Sequence, residues 1–254
     1  MKQKLPLKKS KIGFPNLKNM KQHPPHIEMI KKVARRLGAL RPKVVFLGGS
    51  STGFHITDKA APEVRATKDV DIIVEVASRV EYHQLENTLR ELGFFQKIIA
   101  DDPICRWYID DEIVDIMPTD EKILGFSNRW YLPAIIQSVK IEVGPDLEIQ
   151  VVTAPYFIAT KIDAFYGRGN GDYLMSHDME DIIHVIDGRA EIIDEIAGSE
   201  PDLKDYIARV FQKWLADGRF LEALPGHLLP DQASQGRRSI ILGRIKKIVE
   251  LSSE

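Results

Sequence analysis

Hydrophobic residues in the first 153 positions alternate between the spacing of amphipathic helices and the short runs that are typical of strands. Helices are predicted at residues 27–38 and 78–93, the second opened by a capping-box pattern. Strands are predicted at residues 44–47, 70–76, 104–109, 112–117, 137–143 and 147–152. Two dipeptides, Asp110-Asp111 and Gly144-Pro145, lie where hairpin turns are expected. This part of the chain therefore predicts a sheet with flanking helices.

From Pro155 onward the hydrophobic spacing is mainly helical. Helices are predicted at residues 155–167, 177–187, 190–197, 202–216 and 238–251. The predicted fold class is α+β, a mixed β-sheet with flanking helices and a C-terminal helical annex. Three parts are expected: a basic flexible arm at 1–25, a sheet domain at 26–153 and a helical domain at 154–254.

Composition excludes several classes of protein. The 254 residues carry a formal net charge of −2, which excludes the strongly basic signature of a dedicated nucleic-acid binder. The single cysteine, Cys105, excludes an intramolecular disulfide and a cysteine-based metal cluster. The chain has no apolar run of about 20 residues and no apolar leader, so we expect a cytoplasmic protein with no membrane contact.

Aspartates are the main candidates for chemistry. In the strand at 70–76, side-chain alternation places Asp69 and Asp71 on one face and the apolar residues on the other. An isolated Asp-x-Asp is most often the solvent-facing side of a strand. Asp115, however, interrupts the apolar run 113–117, where solvent exposure is a weaker explanation.

If these strands are neighbours, the three carboxylates of Asp69, Asp71 and Asp115 converge and repel one another unless cations neutralise them. Their hard oxygen atoms suit Mg²⁺, which recruits substrate phosphates. The three acids are therefore candidate ligands for two metal ions in phosphoryl chemistry.

A glycine turn upstream is a candidate phosphate site. Gly48 and Gly49 allow the backbone to approach a ligand, and Ser50 or Ser51 offers a hydroxyl group and a helix cap. An ordinary tight turn is the alternative explanation of such a glycine pair.

The order of these motifs resembles the nucleotidyltransferase superfamily related to DNA polymerase beta. The matching elements are the strand and glycine turn at 44–50, the Asp-x-Asp strand at 67–74 and the third acid in 113–116. The stretch Arg65-Ala66-Thr67-Lys68-Asp69-Val70-Asp71 is most similar to the AbiEii abortive-infection toxin type. The resemblance covers about residues 43 to 190, and residues 54–64 depart from it as an inserted loop.

The resemblance implies further site residues in the helical part. It assigns Lys161 and Asp178 to catalysis, and Arg168, seven residues after Lys161, could reach the triphosphate with it. A solvated lysine and a helix-start acid are the alternative. The apolar stripe of the later helix predicts that Asp178 and Asp181 lie off the core face.

Two other groups of residues are candidates for a functional role. A zinc site formed by His177, Asp181 and His184 is a less favoured interpretation of their helical spacing. The stretch 129–131, Arg-Trp-Tyr, is expected either to line a base or acceptor surface or to pack in the core.

The expected activity is transfer of a nucleoside monophosphate from a nucleoside triphosphate (NTP) to an acceptor hydroxyl, with release of pyrophosphate. A tRNA, a protein or a small molecule could be the acceptor, and a toxin of this type would have an antitoxin protein as partner. The rival interpretation is a catalytically silent nucleotidyltransferase fold that binds a protein or RNA.

Overall fold

A six-stranded mixed sheet forms the centre of the computed structural model, which describes residues 25 to 252 apart from residues 101 and 170. Its strands are β1 (Val44–Leu47), β2 (Asp69–Val74), β3 (Arg106–Ile109), β4 (Glu112–Pro118), β5 (Val139–Gly144) and β6 (Leu147–Val151). They lie in the order β3-β4-β2-β1-β6-β5. The pairs β2/β4 and β1/β6 are parallel and the others antiparallel, so the predicted α+β fold with a mixed sheet is confirmed.

Helices precede, interrupt and follow the sheet. They are α1 (Pro25–Leu37), α2 (Arg79–Glu91), α3 (Glu121–Leu124), α4 (Tyr131–Ile136), α5 (Ala154–Gly167), α6 (His177–Gly188), α7 (Ile192–Ala197), α8 (Pro201–Ala216), α9 (Gly218–Ala223), α10 (Gln232–Gly236) and α11 (Arg238–Val249). Short 3₁₀ turns occupy Gly38–Lys43, Gly49–His55 and Leu224–His227. The longer helices follow the predicted periodicity, whereas the helix start expected after the glycine pair is a 3₁₀ turn. The predicted arm at 1–25 lies outside the described residues except for Pro25.

Each face of the sheet has its own hydrophobic core. Phe46, Ile72 and Val114 point to the face that α1 and α2 cover. Their neighbours Ile73 and Met117 point to the opposite face, where they share a core with α5, α6, α8 and α11. The predicted boundary between residues 153 and 154 falls between β6 and α5, and this second core continues across it. We call this second face the annex face.

The segment at residues 56–68, which connects the 3₁₀ turn to β2, lies against the end of α6. The backbone N–H groups of Thr57 and Asp58 both donate to the Gly188 carbonyl at 2.9 Å. Arg237 donates to the Asp58 carboxylate at 2.6 Å and to Asp187 on α6 at 2.7 Å. The predicted inserted loop is thereby fixed to the helical part, and its first residue, Phe54, is buried.

No helix among the described residues is both long and apolar enough to cross a membrane.

Candidate functional site

Strand register places the three aspartates on the annex face. Asp71 on β2 is the partner of Asp115 on parallel β4, and Asp69 lies two residues before Asp71 on the same strand. Opposed residues of neighbouring strands share a sheet face, as do residues two apart on one strand. Antiparallel pairing also sets Asp71 opposite Leu47, immediately before the glycine pair. The structure thus brings the predicted acids and the predicted phosphate turn together at one end of the sheet.

Asp71 is the acid whose charge is least compensated. Its carboxylate is half-buried and makes no hydrogen bond or salt bridge to any other described residue. Burial, followed by the nearby Asp69 and then Asp115, raises the pKa of Asp71 to about 7, although Lys161 and Arg168 oppose this shift. A cation that binds beside such a carboxylate stabilises its charged form.

Asp69 and Asp115 are held by Arg106, which the sequence did not single out, and Asp69 also by Thr67 of the stretch 65–71. The Arg106 guanidinium on β3 donates to Asp115 Oδ1 at 2.9 Å and to Oδ2 at 2.8 Å. The same guanidinium lies 3.4 Å from Asp69 Oδ2, while the Thr67 hydroxyl donates to Asp69 Oδ1 at 2.8 Å. A bidentate arginine is a strong partner for a carboxylate, so Asp115 is already neutralised in this arrangement.

The pairing of Asp115 with Arg106 limits how many of the three carboxylates are available to bind a metal ion. Among the described residues, no three His, Cys, Asp or Glu side chains are arranged to enclose one. Carboxylate oxygens are the donors that Mg²⁺ prefers, and Asp69 and Asp71 present them on the same strand face. The donor chemistry therefore fits magnesium, with Asp115 as a further ligand only when Arg106 releases it.

The glycine pair is in close contact with the acids and with the helical part. Gly48 has a φ of 72° and a ψ of −170°, a conformation open almost only to glycine. A Cβ atom at Gly48 would overlap with the Asp71 carboxylate, and one at Gly49 would lie 2.9 Å from Arg65 Nη2. Both glycines are buried, and the space beside them is taken by the Asp71 carboxylate and the Arg65 guanidinium, so neither position accepts a side chain.

The two serines that follow the glycines differ in their contacts. Ser51 Oγ donates to the Gly48 carbonyl at 2.9 Å and so closes the turn. Ser50 is fully buried, and its hydroxyl has no hydrogen-bond partner among the described residues. Ser50 is thus the one of the pair whose hydroxyl is unused by the turn.

Lys161 on α5 lies under the annex face, buried between two aspartates of α6. Its Nζ atom is 2.9 Å from Asp178 Oδ1 and 2.7 Å from Asp181 Oδ2. Burial alone would lower the pKa of Lys161, but Asp181, Asp178 and Asp71 outweigh burial and raise it. Lys161 is therefore a buried cation.

Asp178 and Asp181 correct the prediction that both lie off the core. They are 4% and 0% exposed, because α6 packs against α5 on one side and the 3₁₀ turn Gly49–His55 on another. Arg168 donates to Asp178 at 3.0 and 3.1 Å, and although burial opposes it, Lys161 and Arg168 lower the pKa of Asp178 to about 2. Arg65 donates to both Asp181 oxygens, at 3.2 and 3.1 Å.

The alternative zinc interpretation is not supported by the placement of its residues. Asp181 faces Lys161 and Arg65, while His177 Nδ1 lies 3.3 Å from Glu180. Within residues 25–252, leaving out 101 and 170, no group of potential ligands that includes these histidines could hold a metal ion.

The aromatic residues of the stretch 129–131 pack against neighbouring side chains. Trp130 is buried against Tyr206, with ring centroids 5.2 Å apart, and the Arg129 guanidinium lies 4.0 Å from the same tyrosine ring. The Tyr131 hydroxyl donates to Met117 Sδ at 3.2 Å. Core packing, one of the two expected roles, describes this segment.

The chain matches no protein-family model and no curated protein. Among solved structures, it is similar to an antigenic nucleotidyltransferase-like protein from Paracoccidioides brasiliensis, with 17% sequence identity and a TM-score of 0.47 over 78% of this chain and 92% of that chain. It is also similar to JHP933 from Helicobacter pylori, with 10% identity and a TM-score of 0.46 over 89% and 90% of the two chains. Both likenesses concern the fold and leave the chemistry to this chain's own residues.

Proposed function

We propose that the chain is a magnesium-dependent nucleotidyltransferase that transfers a nucleoside monophosphate from an NTP to an acceptor hydroxyl. The observation that carries the proposal is the position of Asp71. This unpaired carboxylate, with a pKa near 7, lies beside Asp69 and Asp115 and directly against the side-chain-free backbone of Gly48. Carboxylates next to a glycine turn that follows a strand are a suitable arrangement for binding a metal-bound triphosphate.

Asp69 and Asp71 would hold magnesium, joined by Asp115 after release from Arg106. When bound, magnesium supplies positive charge that neutralises the acids and stabilises the transferring phosphoryl group. Gly48 and Gly49 would receive the phosphates through their backbone. An unpaired buried hydroxyl costs roughly 1–3 kcal/mol, so Ser50 would gain by donating to a phosphate oxygen.

Lys161 and Arg168 would supply the positive charge opposite the acids. Lys161 is buried beside the annex face, which carries the three aspartates. Asp71 contributes to the raised pKa of both Lys161 and Arg168. Since Asp178 and Asp181 fix the Lys161 ammonium, its position is set before substrate arrives. A charge that is already fixed in place needs little reorganisation when the phosphoryl group is transferred, so it stabilises the transition state more effectively.

In the proposed reaction, the acceptor oxygen bonds to the α-phosphorus while the bond from the α-phosphorus to the bridging oxygen breaks. Pyrophosphate leaves with that electron pair. The hydroxyl proton passes to a carboxylate, for which Asp115 is the candidate once Arg106 has moved away.

The similarity of residues 65–71 to the AbiEii type favours a tRNA or protein acceptor over a small drug, and a toxin role with an antitoxin partner. Arg65 and Thr67 of that stretch contact Asp181 and Asp69, which gives both residues a place in the same site.

One observation favours the second candidate, a silent binding module. Asp115 is already neutralised by Arg106, as expected of an ion pair whose role is to stabilise the fold.

A simple assay distinguishes the two functions: the chain is incubated with each α-³²P-labelled NTP, magnesium, and total tRNA or cell lysate. Label transfer that is lost in Asp69→Asn and Asp71→Asn supports the enzyme. Absence of transfer with every NTP and both acceptor pools, or equal transfer by the two variants, contradicts it.

A further inference from the structure

A cavity of about 400 Å³ lies beside the phosphate turn, between α6, the segment that carries Arg65, and residues 226–229. Its walls combine apolar side chains with the imidazoles of His177, His184 and His227. Its volume is within the range of small-molecule sites and suits one compact group, not a macromolecular surface. Apart from Arg65, none of the residues placed in the proposed site lines this cavity.

Arg65 connects the cavity to the turn. Its Nη2 atom lies 2.9 Å from the position that a Cβ of Gly49 would take, and its Nε atom lies 3.5 Å from Glu180, which lines the cavity. Arg65 therefore borders both the phosphate turn and the cavity.

The charges of the lining argue against phosphate as the occupant. Arg65 is already paired with Asp181 and Glu180, and Glu63 adds a second carboxylate to the walls. A further anion would meet these carboxylates without a spare arginine to neutralise it. The occupant of the cavity is therefore not expected to be an anion.

The imidazoles and the rim define the remaining chemistry. His184 Nδ1 is buried with no hydrogen-bond partner among the described residues, and burial lowers the pKa of His184, so this ring is neutral. His227 donates through Nε2 to the Tyr173 carbonyl at 2.6 Å, which fixes the orientation of its ring. Met175 and Leu229, which are 75% and 55% exposed, contribute apolar surface.

We propose that this cavity is the nucleobase site of the NTP, in which the imidazoles hydrogen-bond the edge of the base and Met175 and Leu229 cover its face. The proposal rests on the proposed function, because it requires an NTP at the turn. A nucleobase is flat, uncharged and rich in donors and acceptors, and within an NTP it is joined to phosphate through the ribose. The imidazoles of the lining can offer donors and acceptors to such a base.

The test compares Mg²⁺-dependent binding of ATP, GTP, CTP, UTP and inorganic tripolyphosphate to the full chain by calorimetry. At least one NTP should bind about tenfold more tightly than tripolyphosphate. His184→Leu should reduce this preference by about three- to tenfold, the effect of one hydrogen bond, while tripolyphosphate affinity stays unchanged. Met175→Ala, at an exposed position that does not endanger folding, should reduce the preference as well.

His83→Leu is the matched control, because His83 is 73% exposed on α2 and pairs only locally with Glu86. It should change neither affinity. The base site is overturned if no NTP binds more tightly than tripolyphosphate, or if His184→Leu alters both ligands equally or neither. If His184→Leu lost transfer but kept the wild-type NTP affinity, the cavity would instead hold a small acceptor, and the base site would also be overturned. If tripolyphosphate and all NTPs fail to bind, the proposed function falls together with the base site.

Discussion

Asp71 makes the stability of the metal-free protein depend on pH. Its pKa is 3.8 in the unfolded reference and about 7 in the folded chain. Between these values the folded state holds a proton that the unfolded state has lost, so stability falls as pH rises through this window. Asp71→Asn removes the effect, and its stability gain should grow from none near pH 3 to roughly 2–4 kcal/mol near pH 8.

Urea unfolding with a chelator present, at about pH 3, 5 and 8, measures this difference. Asp111→Asn, at an exposed turn position, is the control and should follow the wild type at each pH. A pH-independent difference for Asp71→Asn would show that the Asp71 carboxylate is not strained by burial and its neighbours.

Gly48 should tolerate alanine much less than Gly125 does, although both have a positive φ. At Gly125, with φ 83°, a new Cβ meets no atom within 4 Å, so Gly125→Ala should cost only the backbone strain of about 1 kcal/mol. At Gly48 the Cβ overlaps with the Asp71 carboxylate and the backbone lies in a glycine-only region. Gly48→Ala should cost at least about 2 kcal/mol more and abolish NTP binding. Equal costs for the two variants in urea unfolding would contradict the close contact.

The sequence predicted the acids but not their arginine partner, for a reason that the hairpin makes clear. Side-chain alternation within one strand predicts that Asp69 and Asp71 share a face, and this needs no knowledge of neighbouring strands. Arg106 becomes relevant only through the register of β3 and β4. The signal was available, since the two-residue turn predicted at Asp110-Asp111 pairs residues equidistant from it and so sets Arg106 opposite Asp115.

Helix α6 shows where hydrophobic periodicity stops being informative. The pattern identified the helix from 177 to 187 and its apolar stripe, and the structure extends it to Gly188. It failed for Asp178 and Asp181, because periodicity marks the apolar contact of a helix and not a second, polar contact with α5 and Arg65. Short helices such as α3 and α4, of four and six residues, are too brief for a helical period to be recognised.

The pairing of α5 with α6 predicts a large stability effect at Lys161. Lys161→Met removes a cation whose side chain is 6% exposed and leaves Asp178 and Asp181 with less compensation. We expect a loss of about 3–5 kcal/mol, together with weaker NTP binding measured well below the melting temperature. Lys161→Arg should retain the charge without restoring the geometry.

Lys140→Met is the matched comparison, because Lys140 and Glu148 form an exposed pair, 66% and 57% accessible, on the β5–β6 hairpin. Its cost in urea unfolding should stay below about 0.5 kcal/mol. If Lys161→Met proves as mild as Lys140→Met, the buried cluster does not hold the two helices together. If it keeps full NTP affinity, the proposed phosphate role of Lys161 is wrong.

Arg237, immediately before α11, connects segment 56–68 to α6. Arg237 pairs with Asp187, whose side chain is 1% exposed, and with Asp58 on segment 56–68. The same segment continues to Arg65, which lies against Gly49 and Asp181. Contacts distant from the acids therefore position the residues that surround the phosphate turn.

Arg237→Met should cost about 3–5 kcal/mol in urea unfolding, because it leaves the buried Asp187 carboxylate unpaired. Adding Asp187→Asn removes that charge and should restore part of the stability, whereas Arg219→Met, at a side chain 78% exposed, should cost almost nothing. Asp58 has still lost its partner in the double variant, so segment 56–68 stays loosened at that end. The double variant should therefore regain stability while NTP affinity stays severalfold below the wild-type value. Full recovery of both would mean that Asp58 does not help to position Arg65 at the phosphate turn.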